Sequence, residues 1–475
     1  MRIGIGISVC FFSIGMLACA QQGGDIPARI EVQSPDQAIR VEFLIREANP
    51  CYSVSYRGRE IVQNSVLGLE LKDPFTGGFR VIRVSNNKQR LSWQPLYGER
   101  QVIPDNFNGM VVELAEAGKA GRLLNVELRA YDEGVAFRYN LPDSTAGKSF
   151  EIEREKTEFR FVQGCMAYPI YGGEQTFPTE PLAIPDVKKG AKVPLTMSIP
   201  GGFASVLEAC VVNYPRMSLT KTADGTLAAG IAGKAEVTSG FSSPWRIILL
   251  GENEGKLIEH EHLVLNLNPP CAIDDTSWIV PGKTISNEGA CPLKMAELKK
   301  LADISYTNGF RYMQLDWGWY GTEWSWTEKE RETFRKTMPN MAANTDWVPN
   351  TEADPYKAAK GPVPYRADWK SVTQVDLDVA ELVKYLKERR MGLALYIEAG
   401  KTLRAHDIDK LFGHYEGWGL AGLKPGFVRY GSQENTEWIR RMVQLAAKHK
   451  LWLCIHDGHV PDGMERTYPN LMISE

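Results

Sequence analysis

A large antiparallel β-sandwich followed by a (β/α)8-type barrel that is incomplete in this chain is the architecture this 475-residue sequence predicts. Three observations point there. From about residue 30 to residue 270 the chain runs through short β-rich segments separated by turn residues, the rhythm of a sandwich or super-sandwich. From Cys271 onward the apolar segments are sparser and amphipathic helices stand between them, the pattern of βαβ units. Two late apolar segments, Tyr396-Ile397-Glu398-Ala399-Gly400 and Ile455-His456-Asp457-Gly458-His459, stop abruptly on a carboxylate. The C-terminal strand ends of a barrel open into its active-site mouth, so that is where such acids belong.

Taken in order, residues 1–20 read as a secretory leader. Arg2 supplies the positive start, Ile3 to Leu17 an apolar run too short to stay in a bilayer, and Ala18-Cys19-Ala20 the small residues of a cleavage site. Soluble export to a periplasm or beyond is the expectation, with lipid attachment at Cys19, and hence an outer-membrane lipoprotein, as the alternative. Residues 26–270 form the sandwich, with strands over 39–43, 124–128, 134–139 and 245–250. Residues 271–475 form the barrel, whose strands are read over 277–281, 312–316, 393–398, 423–428, 452–457 and 471–475. A helix is predicted from Asp376 to Arg390, where Val379, Leu382, Val383 and Leu386 recur at helical spacing and basic residues close the end. Another runs from Ser432, its N-cap, to Lys450, with a Trp438, Met442, Leu445 stripe. About six of the eight units of a closed barrel are present, so the chain reads as C-terminally truncated.

A formal net charge of −3 with no basic block argues against a nucleic-acid partner, and 43% hydrophobic residues suit an ordinary globular protein. Past the leader no stretch is apolar enough for a membrane span. Cys51, Cys165, Cys210, Cys271, Cys291 and Cys454 lack metal-type spacing, and nothing forces disulfides among them.

Paired acids at a barrel mouth suggest bond cleavage by general acid and base chemistry. Behind Asp316 come Trp317, Trp319, Tyr320, Trp324 and Trp326, and then a long connection to about Ser371. Flat rings at such a mouth suit a sugar, although any single tryptophan is more often core or loop packing.

Trp278-Ile279-Val280-Pro281-Gly282-Lys283, Leu315-Asp316-Trp317-Gly318-Trp319, Tyr396-Ile397-Glu398 and above all Arg466-Thr467-Tyr468-Pro469-Asn470-Leu471, leading to Glu475, resemble glycoside hydrolase family 97. The resemblance covers most of the chain and implies a calcium-dependent α-glucosidase or α-galactosidase acting on oligosaccharides. Retaining members carry a nucleophilic Asp two residues after the Lys of the fourth strand; here Lys424-Pro425-Gly426 has glycine, which implies the inverting α-glucosidase branch. In that branch Glu398 and Asp457 activate water, and this chain departs from its relatives in having Asp457 where Glu is usual.

The resemblance further implies a Ca²⁺ site with Glu174, Asp457 and Glu475 as ligands, Glu180 being a weaker alternative to Glu174. His456 matches a sugar-contacting histidine. Lys424, Lys283 and Asp316 are candidates for bonding sugar hydroxyls or, equally, for ion pairs inside the barrel, and Trp317 is a candidate ring platform. His459 has no matching role. The general acid is expected beyond Glu475. A retaining α-galactosidase-like enzyme and a non-catalytic glycan-binding protein stay open as alternatives.

Overall fold

A computed structural model describes residues 29–118, 121–172, 180–288, 291–316, 319, 377–399, 403–404, 406–457 and 459–475. The leader, Cys19, Glu174, Trp317, Trp324, Trp326 and the long connection before residue 377 lie outside the described residues.

Alternation builds the sandwich. In Ile39–Arg46 the side chains of Ile39, Val41 and Phe43 are buried while Arg40 and Glu42 stand half-out, the period of two of a strand with one wet face. Phe79–Trp93, Ile103–Glu116, Leu123–Tyr131, Gly134–Leu141, Trp245–Gly251 and Gly202–Ala209 lie side by side in that order within a ten-stranded sheet. A four-stranded antiparallel sheet over Ile30–Gln33, Ile39–Arg46, Asn49–Tyr56 and Arg59–Val66 packs on it, its Val41, Tyr52 and Val54 sharing one core with Val112, Leu128 and Phe137. Each such fully buried side chain contributes roughly 1.5–3 kcal/mol. The four strands expected here form where the alternation places them, three of them longer by a few residues and the last by Gly251 alone.

Trp245–Gly251 is buried along its whole length because its second face is also covered. Trp245, Ile247 and Leu249 pack against Leu257, Leu263 and Leu267, on and after the short helices Glu254–Glu259 and His262–Asn266. Arg246 in this strand is fully buried and held by two acids. Its Nε and Nη2 donate to Glu155 at 2.9 and 2.6 Å, and its Nη1 donates to Glu208 at 2.8 Å. Glu208 also meets Arg216 Nε at 2.9 Å, and Arg216 Nη2 donates to the Val460 carbonyl at 2.7 Å. The charge network thus runs from the sandwich core into the other domain.

That domain alternates strands β1 (Thr284–Ser286), β2 (Tyr312–Leu315), β3 (Gly392–Glu398), β4 (Gly422–Gly426), β5 (Trp452–Ile455) and β6 (Leu471–Ser474) with helices α1 (Met295–Thr307), α2 (Val379–Glu388), α3 (Ile408–Trp418), α4 (Gln433–Lys448) and α5 (Met464–Thr467). The six strands are parallel and adjacent in chain order. β3 and β4 are buried along nearly their whole length, as expected of parallel strands covered on both faces. The sheet curls: the Tyr312 ring on β2 and the Trp452 ring on β5 meet with centroids 5.1 Å apart, although a flat sheet would separate those strands by about 14 Å. The result is part of a barrel with helices outside.

The helix ends follow local chemistry. Asp378, Asp407 and Ser432 accept from backbone N–H groups three residues on, at the starts of α2, α3 and α4, and Gly419 in the left-handed conformation ends α3. The buried face of α2 is the predicted Val379, Leu382, Val383, Leu386 stripe. In α4 the buried face is Thr436, Ile439, Met442, Val443 and Ala446, so Trp438 and Leu445 flank the contact line instead of defining it. The first strand differs from expectation. Residues 277–281 form a turn, with Ile279 N–H donating to the Thr276 carbonyl, and β1 starts only at Thr284. Pro281 has no N–H to give to a ladder, which is why the apolar segment ahead of it cannot continue as strand. All six cysteines among the described residues are free thiols, and no helix among those residues is long and apolar enough to cross a membrane.

Candidate active site

The strand ends bring five acids and two bases to one rim. Asp316 follows β2, its backbone N–H bonded to Asn287 Oδ1 at 2.8 Å and its carboxylate to Gln314 Nε2 at 2.9 Å. Lys424, on β4, places Nζ 3.2 Å from Asp316 Oδ2 and 3.3 Å from Glu475 Oε2, bridging the ends of β2, β4 and β6. Burial pulls the Lys424 pKa down, but the charges of Asp316 and Glu475 outweigh it and hold the ammonium above its ordinary value. It therefore stays a charged donor at any working pH.

Past β5 the chain turns sharply. His456 Nδ1 pairs with Asp457 Oδ2 at 2.7 Å, and its Nε2 lies 3.5 Å from Glu475 Oε1, so the ring stands between two carboxylates. Asp457 has φ 62° and Phe427, just after β4, has φ 52°. The left-handed region is ordinary for Asp but strained for a bulky ring. The two left-handed residues are tied together, since Phe427 N–H donates to Asp457 Oδ2 at 3.3 Å. Glu398, only 2% exposed, ends β3 and is in register with Gly426 on β4. Glu398 and Asp457 thus flank the end of β4, on backbones about 10 Å apart at ordinary strand spacing. At Gly426 a Cβ would lie 2.4 Å from the Tyr396 hydroxyl.

Of the residues singled out in the sequence, Glu398, Asp457, Glu475, His456, Lys424 and Asp316 converge here. Lys283 does not: it precedes β1, at the opposite end of the strands, exposed, with its carbonyl accepting from Arg311 N–H. Glu180 is an exposed residue outside this group. Trp319 is fully buried, donates Nε1 to the Tyr396 carbonyl at 2.8 Å and packs on Tyr415 and Trp418, which makes it core and not a sugar platform. His459 is buried between the domains beside Arg216 and Asp462, and burial pushes its pKa down to about 4.

Sequence reading missed Glu288 and its neighbour Asn287, two residues and one residue past β1. The Glu288 carboxyl is pushed up by partial burial and then by the charge of Asp316. Its signal is the same as for Glu398, an acid at a strand end, but the sequence pattern places that strand several residues too early. No group of three or more His, Cys, Asp or Glu arranged to hold a metal occurs among the described residues. Asp457 and Glu475 offer carboxylate oxygens on either side of His456, part of the six to eight oxygens Ca²⁺ takes.

Against known families, residues 32–270 match the glycosyl-hydrolase 97 N-terminal model and residues 364–475 the glycoside hydrolase 97 model. The chain belongs to glycoside hydrolase family 97. It is 22% identical over 492 residues to a retaining alpha-galactosidase of Bacteroides thetaiotaomicron, covering 92% of this chain and 66% of that one. It is 23% identical to a probable retaining alpha-galactosidase of Streptomyces bingchenggensis, covering 89% and 60%. The family 97 chain therefore spans less than two thirds of the length of these relatives. Among solved structures, a glycoside hydrolase family 97 enzyme from Pseudoalteromonas sp. in complex with panose superposes with a TM-score of 0.78 at 26% identity, over 93% of this chain and 68% of that one. The same Pseudoalteromonas enzyme has also been solved with acarbose. A beta-arabinopyranosidase, at TM-score 0.72 and 19% identity over 93% and 69%, shares the fold.

Proposed function

We propose that this protein hydrolyses α-glucosidic bonds of oligosaccharides with inversion, and that its first twenty residues send it out of the cytoplasm. The observation that carries the reading is the bare end of β4: Lys424-Pro425-Gly426 offers no carboxylate between Glu398 and Asp457. Without a nucleophile there, water must displace the leaving group directly, and Glu398 and Asp457 are the bases that flank its position. Carboxylates reaching inward from backbones two strands apart leave room for a water between them, and the roughly 6.5–9.5 Å of an inverting pair is the separation of such a base from the general acid. Water gives its proton to a carboxylate as its oxygen bonds C1; the C1–O bond breaks on the other face, and the departing oxygen takes its proton from a general acid, expected past Glu475, that is neither Glu398 nor Asp457. His456, bonded to Asp457, orients that carboxylate. Lys424, pinned by Asp316 and Glu475, is a fixed cationic donor for a sugar hydroxyl.

The reading departs from the curated relatives, which are named retaining alpha-galactosidases, because Gly426 offers no nucleophile for a retaining mechanism. It agrees with the ligands of the Pseudoalteromonas enzyme, since panose is an α-linked glucose oligosaccharide and acarbose mimics one. Proton NMR of the earliest product from an α-glucoside is expected to register β-glucose before mutarotation. If α-glucose appears first, the mechanism is retaining and the reading fails.

Calcium is the proposed cofactor, held in part by Asp457 and Glu475. Bound there, it would supply positive charge beside the sugar. Added Ca²⁺ is expected to raise the Tm, with about 2.7 kcal/mol of stabilisation at a hundredfold excess over Kd, and Glu475→Gln to weaken calcorimetric Ca²⁺ binding at least tenfold. Identical melting in chelator and in millimolar Ca²⁺ would remove calcium from this account.

A further inference from the structure

Position 426 is glycine for reasons of space. Its φ lies outside the left-handed region that favours glycine, so the backbone itself accepts any residue. What excludes a side chain is Tyr396. Tyr396 stands opposite Lys424 in the β3–β4 register, and Gly426 is paired one pleat further on, with Glu398. The Tyr396 ring leans along the strands toward the mouth, so that a Cβ on residue 426 would lie 2.4 Å from Cε2 and Oη and 2.7 Å from Cζ. Real Cβ atoms essentially never come closer than 3.0 Å to a neighbour. The ring is buried and its surroundings are fixed. Tyr396 is only 4% exposed, its carbonyl is held by the fully buried Trp319, and Lys424 beside it is fixed by two ion pairs.

We propose that Tyr396 is a mechanism-determining residue: its phenol occupies the room that a nucleophilic side chain on β4 would need. The proposal deepens the inverting reading above and rests on it. From bond lengths of about 1.5 and 1.2 Å, carboxylate oxygens stand roughly 2.4 Å from their Cβ. The Tyr396 hydroxyl stands at that distance from the Cβ position of residue 426. The residue pair acts as a unit, phenol with glycine, and restoring an acid at position 426 alone does not restore a nucleophile.

The test is a double-mutant cycle with a covalent readout. Wild type, Gly426→Asp, Tyr396→Ala and the double variant are incubated with 5-fluoro-α-D-glucosyl fluoride, whose fluoride leaves without needing a protein acid. In the double variant the introduced carboxylate attacks C1, the new C–O ester bond forms, the C1–F bond breaks and fluoride departs with the electron pair. Intact-mass spectrometry is expected to find this glycosyl adduct at least tenfold more in the double variant than in Gly426→Asp alone. Equal adduct in both overturns the proposal. Melting of a parallel cycle with Gly426→Ala keeps the question answerable if Asp prevents folding. Alanine at 426 is expected to lower the Tm clearly beside Tyr396 and little beside the truncated residue; an equal drop in both backgrounds also overturns it. These outcomes are separate from the anomer first released by the wild type, which tests the parent reading.

Discussion

Glu398→Gln is expected to lower kcat by about 10²–10⁴-fold on an aryl α-glucoside while KM moves less than about tenfold. The amide keeps the shape and the buried position of Glu398 at the end of β3. It cannot take a proton from water, and that transfer occurs only in the transition state, so the loss falls on kcat and not on ground-state binding. Because the strand register puts Glu398 beside Gly426 and not beside an acid, no neighbour on β4 can substitute for it. A variant that keeps near-wild-type kcat would take Glu398 out of the chemistry, whatever the anomer released.

The largest effect on stability is expected at Arg246, far from the rim. Arg246→Met leaves Glu155 and Glu208 buried without their common partner. Burial already pushes the Glu208 carboxyl up while the Arg216 and Arg246 charges pull it back. Breaking a buried pair from one side costs about 3–5 kcal/mol, because the stranded charge has no water to turn to. Arg57 makes a pair of similar length with Glu252, 2.9 Å, but both side chains are about half exposed. Arg57→Met is therefore expected to cost at most about 1 kcal/mol. Urea denaturation of the two variants compares them directly, and equal losses would mean that burial of the network contributes nothing special.

Features with a local cause were legible in the sequence. Alternation placed the sandwich strands, the caps Ser432 and Gly419 obey short-range rules although only the first was read, and Glu398 and Asp457 announce themselves as acids that end apolar runs. β1 was misplaced because an apolar segment before a proline has the composition of a strand without its hydrogen-bonding capacity, and Glu288 was lost with it. The Arg246 network was illegible for a different reason. Its members come from strands far apart in the chain, and a lone Arg in an apolar run says nothing of the two acids that will meet it. The same holds for Tyr396 and Gly426, whose contact depends on strand register and on the lean of a ring. Trp319 looked like a mouth aromatic by its place after Asp316, yet its indole N–H found a backbone carbonyl in the core.

The bonds around Asp462 have a consequence for how the molecule is made. Cys210 N–H and Val211 N–H both donate to Asp462, at 3.0 and 2.9 Å, the second across 251 positions of sequence. Asn268 reaches the same carbonyl at 2.8 Å. The turn that follows His456 and Asp457 thus takes its shape from a surface completed on the ribosome well over a hundred residues earlier. Contacts of such separation are slow to find by random search, and a chain that folds domain by domain from its N-terminus meets them with one partner already rigid. A circular permutant that presents the barrel first would have to close that turn with no template, and its refolding would slow accordingly.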